Sequence, residues 1–147
     1  MILGAVRVYV FGNGNLGFDA FLDRYRAPLL DLDLARCEVL VCDFRGVDTL
    51  TMELLKDRMA QVRVFHIGER PRYLPDRYRT KVSSWELVGG FEDDASRDAA
   101  AIEACTHFLG FDQNSNAKRT SGTQKNIERC LALGKIRLGA RDEPASS

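Results

Sequence analysis

VRVYVFGNGNLG, residues 6–17, joins a mostly apolar run to a glycine triad and decides the expected fold. After it, Phe18, Phe21, Leu22 and Tyr25 are spaced i, i+3, i+4 and i+7, which is typical of the apolar face of a helix. A strand, a glycine turn and a helix start together bring backbone N–H groups and a helix dipole towards a phosphate. The stretch favours a nucleotide-like ligand. The alternative is a structural turn in which glycine only supplies positive φ angles.

Strand and helix patterns alternate along the rest of the chain. Apolar runs rich in Val, Ile, Phe and Leu predict five strands, at 6–11, 38–42, 62–67, 106–111 and 135–138. Between them, helical spacing of apolar residues predicts further helices around 47–54, 102–105 and 127–131. This alternation predicts an α/β fold, a three-layer Rossmann-like sandwich with a central, mostly parallel five-stranded sheet.

Composition limits the function classes. The 147 residues carry 21 Lys plus Arg and 21 Asp plus Glu, so no global charge draws the protein onto nucleic acid or an anionic membrane. The N-terminus lacks a secretory pattern and no apolar run spans a bilayer, which predicts a cytoplasmic protein without a membrane partner. Neither a metal nor a cofactor is expected. Buried reduced thiols are expected at all four cysteines, Cys37, Cys42, Cys105 and Cys130.

Three loops are expected to meet at the carboxyl edge of the sheet, where such folds bind ligands. The first is the glycine turn. The second follows the strand at 38–42 and offers an arginine for a phosphate and an aspartate that can cap a helix. The third opens the last helix, where hydroxyl and N–H groups either bind phosphate or only form an S-x-x-Q capping box. The residues expected to contact the ligand are Gly12, Asn13, Gly14, Asn15, Arg45, Gly46, Asp48, Ser121, Gly122 and Thr123.

The glycine triad fits a dinucleotide less well than its spacing suggests. A dinucleotide fingerprint needs an acidic residue about 20 positions further on to bind the ribose hydroxyls. Here the acid after the second strand is Asp43, 26 residues past Gly17. NAD or FAD is therefore the weaker interpretation, and the triad is better taken as the first of three phosphate-facing turns.

Five segments occur in an order that resembles a known superfamily. They are GNGNL after a strand, DFRGVDTLTMELL (43–55), RDAAAIEAC (97–105), THFLGFD (106–112) and SGTQKNIERCLALGK (121–135). The order is similar to that of the SLOG superfamily of Rossmannoid nucleotide-binding proteins. That group includes the cytokinin-activating phosphoribohydrolases, the SLOG domain of DprA and many bacterial proteins, and nucleoside 2-deoxyribosyltransferases are similar in their last third. The resemblance implies a nucleotide ligand, and it raises a homodimer as a candidate assembly because such proteins often dimerise.

The chain departs from these enzymes at a catalytic position. They commonly carry a glutamate in the first turn after the glycine-threonine pair, where this chain has Asn126. An amide can neither act as a carboxylate nucleophile nor stabilise a ribosyl cation with negative charge. Arg97 matches the arginine that opens the preceding helix in the phosphoribohydrolases. Whether the chain is an enzyme stays open, and the catalytic candidates are Arg97 with a displaced carboxylate from Asp98, Glu53 or Asp48.

The segment 68–92 is expected to be a lid or long loop within one domain, 1–138, that a disordered tail follows at 139–147. A mixture of arginine and aromatic residues could hold a nucleotide or dock a protein, and a solvated surface loop is the alternative. The residues that suggest this role are Arg70, Arg72, Tyr73, Arg77, Tyr78, Arg79, Lys81 and Trp85.

The leading hypothesis from sequence is a sensor or regulatory module that binds a nucleotide or a nucleotide-derived phosphorylated ligand. An N-glycosidase, phosphoribohydrolase or deoxyribosyltransferase that acts on nucleoside monophosphates is the first alternative. A protein-interaction module is the second.

Overall fold

A single six-stranded parallel sheet organises the computed structural model, which describes residues 6–139. The strands lie in the order β4-β3-β2-β1-β5-β6, and every neighbouring pair is parallel. The parallel α/β architecture agrees with the predicted fold class. The strands are β1 (Val6–Gly12), β2 (Cys37–Cys42), β3 (Gln61–Ile67), β4 (Glu86–Phe91), β5 (His107–Phe111) and β6 (Ile136–Arg137).

Helices cover both faces of this sheet, so strand side chains alternate between two apolar clusters. Val8 and Val10 of β1 belong to one cluster, with the helical segment 18–30 and α3 (Val47–Leu55). Tyr9 and Phe11 belong to the other, with α4 (Asp94–Ala104) and α5 (Gly122–Ala132). The near-continuous apolarity of the strands therefore reflects burial on both faces.

The prediction of five strands was wrong, because β4 lies inside the segment expected to be a lid or long loop. Four of the six residues of β4 are exposed, as befits an edge strand that pairs with β3 alone. Gly89 and Gly90 further weaken its strand signal. A 3₁₀ turn at Lys81–Ser84 precedes it, so the irregular part of the segment is limited to about residues 68–80.

The first helical segment changes its hydrogen-bond pattern midway. It consists of α1 (Phe18–Phe21), a π turn (Leu22–Arg26) and α2 (Ala27–Leu30). Proline inside a helix ordinarily ends or kinks it, yet helical structure continues past Pro28 to Leu30. Pro28 has no N–H for the carbonyl four residues earlier, and the wider turn before it removes the need for that bond.

Tyr25, in the π turn, ties together the ends of two strands. Its hydroxyl donates to the carbonyl of Phe11 at 2.9 Å and accepts the N–H of Phe111 at 3.0 Å. The carboxyl ends of β1 and β5 are thereby held side by side.

The strand order reverses at β1. Strands β2 to β4 extend to one side of it, and β5 and β6 lie on the other. In open α/β sheets, ligands bind in the crevice at such a switch point, outside the carboxyl ends of the strands. The loops that follow β1 and β5 therefore border the crevice at this switch point.

Three further expectations can be compared with the described residues. All four cysteines are free and buried, as predicted. Among residues 6–139, no helix combines the length and apolarity that crossing a bilayer requires. The predicted tail lies outside the described residues, apart from its first residue, Gly139.

Candidate functional site

A cavity of about 390 Å³ opens at the carboxyl edge of the sheet. Its walls come from the loops after β1 and β2, the first turns of α4, and the connection from β5 into α5. The three sequence-predicted loops therefore surround one space. Nine of the ten predicted contact residues line it: Gly12, Asn13, Gly14, Asn15, Arg45, Asp48, Ser121, Gly122 and Thr123. Arg97, Asp98 and Asn126 line it as well.

Two sequence candidates lie outside this lining. Gly46 adopts a φ of 76°, and a Cβ there would come within 2.5 Å of the carbonyl oxygen of Asn13. It permits close packing of the first two loops. Glu53, a catalytic candidate, instead accepts hydrogen bonds from Lys56 at 2.7 Å and from the hydroxyl of Tyr73.

Asp112 connects the first loop of the cavity to the third. Its carboxylate accepts the amide of Asn13 at 2.8 Å and the hydroxyl of Ser121 at 2.6 Å. Burial opposes its ionisation, but these bonds and those from Ser115 and the Asn114 N–H outweigh burial and hold the pKa of Asp112 well below its usual range. Sequence reasoning missed this role of Asp112, because Asn13 is 99 residues away.

The N-terminus of α5 presents donors to the cavity. The hydroxyl of Ser121 accepts the Gln124 N–H at 2.9 Å, which is the serine half of the predicted capping box. The other half is missing, because the Ser121 N–H donates to Ser115 Oγ and the Gln124 side chain donates to Glu128. The N–H groups of Gly122 and Thr123 have no acceptor within the helix, and no other described residue accepts from them. The Ser121 cap therefore leaves two N–H groups of this helix end without a protein acceptor.

On the opposite wall, Arg97 is the centre of a buried ion-pair network. Its side chain is 4% exposed and contacts Asp43 at 2.8 Å, Asp98 at 2.9 Å and Asp94 at 3.0 Å. Asn126 donates to the second oxygen of Asp98 at 3.0 Å. The guanidinium is thus engaged by carboxylates of the protein itself.

Arg72 attaches the loop at 68–80 to the same network. Its N–H and its guanidinium both donate to the fully buried carboxylate of Asp43, at 3.0 and 3.2 Å. Burial opposes ionisation of Asp43, but the bonds from Arg72 and the charge of Arg97 lower its pKa. The segment expected to act as a lid is therefore anchored beside the cavity by a salt bridge.

Asp48 differs from the other buried carboxylates. It is 5% exposed, and its Oδ2 accepts the N–H of Phe44 at 3.0 Å, yet no described lysine or arginine lies within 4 Å of it. Burial raises the pKa of Asp48 from 3.8 to about 7, against the opposing effects of the Phe44 N–H and Arg97. Its carboxyl group is therefore partly protonated at neutral pH.

Two exposed arginines line the cavity without ion pairs to any described residue, Arg45 and Arg119. The Arg45 guanidinium carbon lies 4.8 Å from the centre of the Phe44 ring. Sequence reasoning singled out Arg45 and missed Arg119. The adjacent basic pair Lys118-Arg119, directly before the third loop, is the signal that could have found it.

Within residues 6–139, no three His, Cys, Asp or Glu side chains are grouped as a metal site would require. The cavity lining therefore combines unpaired cationic and N–H donors with buried carboxylates.

The fold and the position of the cavity define the chain as a Rossmann-like α/β protein. The X-ray structure of TM1055, a Northeast Structural Genomics Consortium target, is similar to it, with a TM-score of 0.62 and 17% sequence identity. The similarity covers 90% of this chain and 72% of TM1055, and it supports the fold alone. No protein-family model matches the chain, and no curated protein matches it significantly.

Proposed function

We propose that this protein binds a nucleotide or a nucleotide-derived phosphorylated ligand in the cavity, as a sensor or regulatory module. One observation carries the proposal: unpaired donors from two separate loops, those after β2 and β5, line one space at the switch point of the sheet. These donors are the helix-terminal N–H groups of Gly122 and Thr123 and the side chains of Arg45 and Arg119. Such groups bind phosphate oxygens by charge-assisted hydrogen bonds.

The motif order that resembles the SLOG superfamily supports the same ligand class. The resemblance and the cavity are independent arguments, because one rests on sequence order and the other on the space that the loops enclose. A volume of about 390 Å³ lies within the usual range for small-molecule sites.

Isothermal titration calorimetry against nucleoside mono-, di- and cyclic phosphates tests this proposal. Replacing Arg45 by alanine removes one charged donor and should weaken binding about tenfold or more. Arg79→Ala is the matched control, because Arg79 is an exposed arginine, 88% accessible, that does not line the cavity. If no nucleotide binds more tightly than about 1 mM, or if both variants behave alike, the proposal is wrong.

The second candidate function is N-glycosidic bond hydrolysis or transfer on nucleoside monophosphates. Asp48 favours it, because a carboxyl with a pKa of about 7 can exchange a proton with water at neutral pH. Asp98 is a weaker candidate, since Arg97 and Asn126 already occupy both of its oxygens.

Chromatographic detection of free base distinguishes this activity from binding alone. Each common nucleoside monophosphate would be incubated with the wild-type protein and with Asp48→Asn. Release by the wild type that the variant loses would establish the activity. If no free base is released from any of these nucleotides, hydrolysis is excluded and the binding proposal is unaffected.

A further inference from the structure

We propose that the phosphorylated ligand binds together with a proton, and that the carboxyl group of Asp48 takes up this proton. This inference rests on the proposed function, because it concerns how the same cavity accepts an anion. It makes Asp48 a specificity-determining residue that responds to the charge of the ligand.

The placement of Asp48 carries the argument. Asp48 lies in the first turn of α3 and lines the cavity, although 95% of its surface is covered. Its Oδ2 is used by the Phe44 N–H, and no described residue donates to Oδ1. Oδ1 is also not among the described polar atoms that are sealed from solvent without a partner. It is therefore open to the cavity.

The positive charge that most influences Asp48 is already committed, and the two unpaired arginines of the lining, Arg45 and Arg119, form no ion pair with it. Arg97 lies close enough to influence Asp48, but its guanidinium contacts three other aspartates. An anionic ligand would thus enter a space in which an ionised Asp48 has no cation of its own. Protonation removes this repulsion and turns Oδ1 or Oδ2 into an O–H donor for a phosphate oxygen.

The titratable groups that face Asp48 come from each element packed around it. In its present surroundings, burial raises the pKa of Asp48 to about 7, and a bound phosphate would raise it further. The proton comes from solvent or buffer and stays on the carboxyl group. The facing groups are Tyr9 of β1, Tyr25 of the π turn, Cys42 of β2, Asp43 of the following loop, and Arg97 and Asp98 of α4.

Calorimetric titration with adenosine 5′-monophosphate at pH 7.5, in two buffers of different ionisation enthalpy, measures the proton uptake. A group with a pKa of about 7 is roughly one quarter protonated at that pH, so complete protonation takes up about three quarters of a proton per ligand. With sulfate at pH 6 the uptake should fall to about 0.1 proton, because the Asp48 carboxyl is already protonated there and sulfate carries no titrating proton of its own. Inorganic sulfate serves as a second probe, since it has no proton of its own to exchange near neutral pH.

Two variants separate Asp48 from other sources of protons. Asp48→Asn should lose this uptake, whereas Asp57→Asn, which removes an exposed carboxylate just beyond the end of α3 and outside the cavity lining, should keep it. Carboxyl carbon shifts of Asp48 in the wild type, with and without sulfate, give the same answer without a variant. Binding with equal uptake in the wild type and Asp48→Asn overturns this inference and leaves the proposed function standing. If neither probe nor any other nucleotide binds, both are overturned.

Discussion

The two walls of the cavity differ in how their polar groups are satisfied. On the α4 wall, Arg97 and three aspartates pair with one another, and Asn126 completes the network. The other wall is formed by the loop after β1 and the start of α5. There Asp112 binds Asn13 and Ser121 and so joins the two loops, while the N–H groups of Gly122 and Thr123 have no protein acceptor. The paired wall fixes the shape of the cavity, and the unpaired wall leaves hydrogen-bond donors available. Sequence motifs alone do not reveal this division, because both walls contain arginine.

The largest effect is expected from Arg97→Met, which removes the cation of the paired wall. Asp43 and Asp98 would keep buried charge without their central partner, so the free energy of unfolding should fall by about 3–5 kcal/mol. Urea denaturation followed by circular dichroism measures this loss.

Arg72→Met is the matched control, because Arg72 also binds Asp43 but is 46% exposed. In Arg72→Met the free energy of unfolding should fall by about 1 kcal/mol or less. Equal losses in the two variants would show that the α4 wall does not depend on its buried charge.

A smaller change in the free energy of unfolding, a decrease of roughly 2–3 kcal/mol from pH 5 to pH 8, is expected from the raised pKa of Asp48. The folded state keeps the proton up to about pH 7, whereas the unfolded chain loses it near 3.8. The resulting stability is therefore complete below the unfolded pKa and is lost as the pH rises through about 7. In Asp48→Asn, this decline in the free energy of unfolding should be absent, as urea titrations at several pH values would show. A variant whose stability follows the wild-type curve would assign the pH dependence elsewhere.

Gly46→Ala should lower the free energy of unfolding by about 2 kcal/mol, because alanine is strained at a φ of 76° and its Cβ would overlap the Asn13 carbonyl. Gly17→Ala is the control: Gly17 also precedes a helix, but its φ is −82° and its Cβ position is open. Thermal unfolding of both variants tests whether contact between the first two loops stabilises the cavity. If Gly17→Ala lowers stability as much as Gly46→Ala does, the close contact of the first two loops at Gly46 does not explain the effect.

Much of the fold was predictable because its central strands are buried on both faces. Val8, Tyr9 and Val10 are apolar in succession, and that run is distinctive in any sequence. Strand β4 gave no such signal, since an edge strand with Gly89 and Gly90 needs little apolar surface. The missed strand therefore reflects the position of β4 in the sheet, which local sequence does not encode.

The candidate site was predictable to the extent that its groups belong to local turns. The glycine turn, Arg45 and the Ser121 cap are short-range patterns. The partners of Asp43 are not: Arg72 and Arg97 follow it by 29 and 54 residues, and only the packed fold brings them together. The proximity of Asp112 to Asn13 is of the same kind. The long-range pairs that shape the site thus required the structure.

The hydroxyl of Tyr25 also restricts how this chain can evolve. It occupies the space that a Cβ at residue 12 would need, and Val47 Cγ2 lies 2.6 Å from the same point. Any other residue at position 12 would therefore have to follow changes at Tyr25 and Val47. The first glycine of the motif is constrained by an aromatic side chain in a distorted helical turn. Its persistence in related chains would report on packing as much as on a ligand.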